Sequence, residues 1–73
     1  MTNWNRLIRI TDVVLQVLEE SSKPLSLTQI VEAVRENEPS LNADEFDVRD
    51  AVMRLASRNA AKYTAQMTVQ LAK

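Results

Sequence analysis

Leu41-Asn42-Ala43-Asp44-Glu45-Phe46-Asp47-Val48-Arg49-Asp50-Ala51-Val52-Met53-Arg54-Leu55-Ala56-Ser57-Arg58-Asn59 carries a complete helix, with its start and stop signals in place. Val48, Ala51, Val52, Leu55 and Ala56 recur three and four residues apart, which puts them on one face of a helix of 3.6 residues per turn. Asn42 reads as the N-cap, with Glu45 three residues on closing a capping box and Leu41 stapled to Phe46. Asn59 follows the last apolar turn and, in a chain with no Gly, is the best residue for the left-handed position that ends a helix. Outward go Asp47, Arg49, Asp50, Met53, Arg54, Ser57 and Arg58.

Upstream, the same signature stands once more. Ser26 caps a second helix, Gln29 closes its box, and Leu25 and Ile30 form the matching staple. Leu27, Ile30, Val31 and Val34 line its inner face, and it stops near Asn37, two residues before Pro39. Lys23-Pro24-Leu25-Ser26 reads as a short extended segment, because the residue before a proline is pushed out of helical geometry. Before it, Leu7, Ile10, Val14, Val17 and Leu18, widened by Ile8 and Val13, predict a first helix from Trp4 or Asn5 to about Glu20. An extended arm over residues 5–10, with the helix starting at Thr11-Asp12, is the alternative.

Downstream, the period changes to two. Ala61, Tyr63, Ala65, Met67, Val69 and Leu71 alternate with polar residues, the pattern of a strand. An odd-length loop centred on Gln66 would keep the apolar set on one face and pair Tyr63 with Val69 and Ala61 with Leu71. The tip lacks the Gly or Asn of tight hairpins, so one unbroken strand pairing with another chain is the alternative.

The resulting order is helix, short strand, helix, helix, two-stranded wing. With Val48-Arg49-Asp50-Ala51-Val52-Met53-Arg54-Leu55 running to Asn59, and with Lys23-Pro24-Leu25-Ser26 between the first two helices, the chain resembles the winged helix-turn-helix superfamily over residues 5–72. The resemblance implies a mainly α fold with a small β-hairpin, one domain over residues 1–73, of the kind small microbial and phage regulators use. It also implies that the helix over residues 43–58 is a recognition helix for the major groove of double-stranded DNA. Asn59 stands where the family has Gly, the connection over residues 37–42 is long and contains Pro39, and the wing is short with no Arg at its tip.

Seventy-three residues allow one domain with a modest core. With no Cys and no His, neither a disulfide nor the usual zinc site can staple it, and the ordinary general bases and nucleophiles are missing. No Gly means no Gly-rich phosphate loop. The chain is therefore expected not to be an enzyme and to need no cofactor. Arg6 and Arg9 interrupt the N-terminal apolar residues, so neither a signal peptide nor a membrane span is expected, and the chain reads as complete from Met1 and cytoplasmic.

The formal net charge of −1 hides a strong asymmetry. Residues 19–50 hold nine of the ten acids, whereas Arg54, Arg58, Lys62 and Lys73 follow with no acid among them. Such a split points to a polar interaction surface. The DNA-binding expectation rests on Arg49, Met53, Arg54, Ser57 and Arg58 on the third helix, Lys62 on the wing, and backbone contacts from Arg6 and Arg9. Its discriminating feature is whether Arg49, Arg54 and Arg58 project together with Lys62 on one open face, and Asp47 and Asp50 at the centre of that face would weaken it. Glu45 with Arg49 and Asp50 with Arg54 are equally the ordinary ion pairs of a solvated helix, and acids in a first turn suit the helix dipole. Trp4 is expected as a local cap, Met53 and Met67 as rim packing, and Tyr63 as core with its hydroxyl outside. The competing reading is a winged-helix module that docks on a transcription or replication protein through its acidic face or its C-terminal strand. A homodimer fits either reading, because a single short recognition helix offers few specific contacts.

Overall fold

Ile10, Val14, Val17 and Leu18 fall on one stripe of a helix and are buried, together with Val13 and Thr11 beside them. In the computed structural model, which describes residues 4–72, this helix is α1, Trp4–Glu20. Met1, read above as the start, and Lys73, counted in the basic tail, lie outside the described residues. The extended-arm alternative is replaced by continuous helix from Trp4.

α2 spans Leu27–Asn37 and begins as its sequence dictates. The Ser26 hydroxyl accepts from the Gln29 N–H at 3.2 Å while Gln29 Oε1 accepts from the Ser26 N–H at 2.9 Å. The connection that follows is more ordered than its length suggests. Pro39–Leu41 forms one 3₁₀ turn with Pro39 in its first turn, and Asn42 ends it in the left-handed region at φ 51°.

The third helix, α3, spans Glu45–Ser57 and corrects the start read from the sequence. Its N-cap is Asp44, not Asn42, and the box partner is Asp47, not Glu45. Two capping boxes overlap in this sequence, and burial selects between them. With Asp44 as cap, the staple positions fall on Ala43 and Val48, both fully buried. Phe46, read above as the staple, is 76% exposed. Asn59 ends the helix in the left-handed region at φ 60°, as expected of it.

Beyond it, β1 (Ala61–Tyr63) and β2 (Val69–Leu71) form an antiparallel hairpin in the expected register, Ala61 opposite Leu71 and Tyr63 opposite Val69. Thr64 and Thr68 close the loop, with the Thr64 N–H donating to the Thr68 carbonyl at 2.8 Å and the two hydroxyls 2.6 Å apart. Met67 takes the left-handed position at φ 63° that such three-residue loops require. Leu25 then bridges Val69 from the other side through reciprocal bonds of 2.9 and 2.7 Å. Val69 is thus held between β1 and Leu25 and is fully buried. The edge of the C-terminal strand, which the competing reading offers to a partner, is already occupied at this residue. Tyr63, read as core, is 42% exposed, because it stands at the loop end of β1 beyond the cover of the buried pair Ala61 and Val69. Among the described residues the architecture is three helices around one core, with a two-stranded sheet closing it.

Candidate nucleic-acid interface

The connection between α2 and α3 exposes three successive carbonyls, and arginines from other elements take all three. Arg6 donates to Leu41 O from Nε at 3.2 Å and from Nη2 at 2.9 Å, and to Asn42 O at 3.2 Å. Arg35 donates to Ala43 O at 2.8 Å. Arg6 also forms a two-pronged pair with Asp47, at 2.9 and 3.2 Å. The hydrogen bond to Arg6, assisted by the Asp44 backbone N–H, holds the Asp47 carboxyl below its ordinary value against the opposing effect of burial, and the same pairing raises Arg6. Arg9 reaches Glu38, at the other end of the same connection. Arg6 and Arg9, expected to touch phosphates, are thus engaged in seating the segment between the two helices.

The expected site residues on α3 fall on different sides of the helix. Arg49 and Arg58 are nine residues apart, about half a turn around the axis at 100° per residue. Arg54, Ser57 and Arg58 line a concavity against α1 with Ile8, Thr11 and Asp12. Arg54 is tied down there, paired with Asp50 at 3.3 Å and placed over the Trp4 ring at 5.2 Å from its centroid. Lys62 lies on a third surface, beside Lys23 and the C-terminal end of α1. The cations do not share one open face. Asp50 occupies the outward side of α3, half-exposed, whereas Asp47 is withdrawn into its pair with Arg6. Of the two ion pairs expected along α3, Asp50 with Arg54 forms and Glu45 with Arg49 does not.

Arg49 instead enters a concavity of about 530 Å³ between α3, the hairpin and the start of α2, lined by Leu27, Thr28, Arg49, Tyr63 and Met67. Its chemistry is consistent. Arg49 makes no ion pair among the described residues, and Thr28 and Tyr63 each add a hydroxyl. The capping box satisfies the Ser26 and Gln29 N–H groups, which leaves the Leu27 and Thr28 N–H groups at the positive end of α2 without an intrahelical acceptor. No carboxylate lines the concavity. Beside it, Phe46 and Met53 stand 76% and 57% exposed along the outward ridge of α3. They are seven residues apart, two turns of one helix face.

Thr28, Tyr63 and Phe46 were not singled out as site residues from the sequence. Thr28 had a legible signal, since the capping box engages the N–H groups of Ser26 and Gln29 and leaves that of the second helical residue without an intrahelical acceptor. Tyr63 had none, because its place depends on how far the sheet extends over the core. Among the described residues no helix is long and apolar enough to cross a membrane. Compared with known protein families, with curated proteins and with solved structures, the chain finds no match in any of the three.

Proposed function

We propose that this protein binds double-stranded DNA as a small winged helix-turn-helix regulator or DNA-binding accessory factor of the cytoplasm, without catalytic activity. One observation carries the reading. Arg49, the Thr28 and Tyr63 hydroxyls and the open N-terminus of α2 converge on a single concavity that no acid lines. These are the donor types that hold phosphate oxygens and set the register of a helix on a duplex. With a phosphate seated there, the outward ridge of α3 faces the major groove. Asp50 can address cytosine edges, and Phe46 and Met53 can meet thymine methyl groups. Arg58 and Lys62 lie on other surfaces and take no part in this seat.

The test is fluorescence anisotropy of a labelled mixed-sequence duplex at about 50 and 200 mM salt. The wild-type chain binds in the micromolar to sub-millimolar range and weakens steeply as salt rises. Arg49→Ala weakens binding and lowers the salt slope by about one counterion, because a single phosphate contact is lost. Arg58→Ala leaves the slope unchanged. Absence of binding at the lower salt, or an equal response to the two substitutions, overturns the proposal.

A further inference from the structure

The opposite side of α3 has a different character. Trp4 and Ile8 stand one turn apart on α1, 54% and 53% exposed, and the next turn of the same stripe is Asp12. Asp12 and Arg58 line the α1–α3 concavity of about 350 Å³, and neither makes an ion pair among the described residues. Exposed indole and exposed isoleucine lie within two turns of one helix, beside an unfilled hollow lined by one acid, Asp12, and two bases, Arg54 and Arg58.

We propose that this face is where a second copy of the chain docks, with the two α1 helices antiparallel about a two-fold axis at Ile8. The spacing sets the geometry. A two-fold at residue 8 exchanges residue 4 with residue 12, so Trp4 of each copy comes to lie over the hollow beside Asp12 of the other. The chemistry is complementary at that point. The indole N–H is a donor in search of an acceptor when buried, and the Asp12 carboxylate is one. The ring face attracts a cation, and Arg58 on the far wall is one. Arg54 already holds the Trp4 ring from its own side at 5.2 Å, so the knob is fixed before it docks and little side-chain entropy is lost. Ile8 meets Ile8 on the axis, the self-pairing an isologous contact demands.

Shape and composition point the same way. Helices of 17 and 13 residues side by side are about 25 and 20 Å long. They present an elongated face two helices wide, the shape that an antiparallel helix contact between copies uses. The 73 residues include no Cys or His, so neither a disulfide nor the usual zinc site supplements the core, and association is one of the staples still open to it. The pairing leaves the Arg49 concavity open and does not rest on the nucleic-acid reading.

Trp4 is the only tryptophan of the chain, so tryptophan emission reports on the surroundings of this one residue. Sedimentation equilibrium and Trp fluorescence are measured on the same dilution series without DNA, from about 1 µM to 1 mM. The expected result is a rise to twice the monomer mass, with a blue shift of Trp4 emission following the same curve. Ile8→Asp places two like charges on the axis and raises the dissociation constant about tenfold or more, with helix content unchanged because Ile8 is outside the core. Trp4→Ala weakens association similarly, and Asp12→Ala does so less. A chain that stays monomeric at 1 mM overturns the proposal. So does a dimer indifferent to Ile8→Asp, or a mass doubling with no change in Trp4 emission, since either places the contact elsewhere.

Discussion

Asp47 serves two neighbours at once. Its Oδ2 accepts from the Asp44 N–H at 3.1 Å, which closes the capping box of α3, and both carboxylate oxygens accept from Arg6 on α1. The ionised form is the one that both contacts favour, so its folded-state pKa lies below the ordinary 3.8. A carboxyl depressed on folding contributes stability that is complete above the unfolded value and is lost as the pH falls through the folded one. Asp47→Asn keeps an acceptor oxygen but removes the charge. Its melting temperature is expected to lie below that of the wild-type chain at pH 7, with the gap closing as the pH falls through 3.8 and below. Thermal melts of both proteins from pH 7 to pH 2 check this, and a gap that does not change with pH rules it out.

At the scale of elements, the start of α3 is where local rules compete. Asn42 with Glu45 and Asp44 with Asp47 are both capping signatures, and the winning one buries Ala43 and Val48 and leaves Phe46 outside. The two residues therefore respond differently to substitution. Asp44→Ala removes the oxygen that accepts from the Asp47 N–H at 2.9 Å and is expected to cost about 1 kcal/mol. Asn42→Gly is expected to be close to neutral, since Asn42 sits at φ 51°, where Gly is unstrained. Urea denaturation of the two variants separates the assignments, and the reverse order of stabilities returns the cap to Asn42. This competition also marks what the sequence could disclose. α2 was legible to the residue because Ser26, Gln29, Leu25 and Ile30 specify one start and no rival. The hairpin register was legible because only an odd loop keeps Ala61 and Val69 on one face. The α3 cap was not, because its arbiter is partly Arg6, thirty-five and more residues away in the chain. The cations were legible as residues but not as surfaces. Periodicity divides the outside of a helix from its inside, yet it does not say that α1 will lie along the Arg58 side and the hairpin along the Arg49 side. Thr28 and Tyr63 come together only through that packing.

For the whole molecule the question is whether the hairpin belongs to the cooperative core or rides on it. Val69 decides this, because it is fully buried, opposes Tyr63 on β1, and exchanges both of its backbone bonds with Leu25 just before α2. Opening the hairpin would break that bridge and uncover a core that also holds Ile10 of α1, Ile30 of α2 and Leu55 of α3. In a domain of this length the entire stability is of order 4–11 kcal/mol, so removing one such wall leaves little to keep the rest folded. The amides of Leu25 and Val69 are therefore expected to exchange with deuterium only through global unfolding, with the same protection as Ile30 in the middle of the core. Gln66, whose N–H donates only to the Thr64 hydroxyl at 3.2 Å on the exposed tip, is expected to exchange much faster. Native-state hydrogen exchange followed by NMR distinguishes the cases. Protection of Val69 well below that of Ile30 would make the hairpin a separate, locally opening unit. Tyr63 and Met67 would then be only intermittently in place beside Arg49, and the seat for a phosphate would have to form on binding instead of existing beforehand.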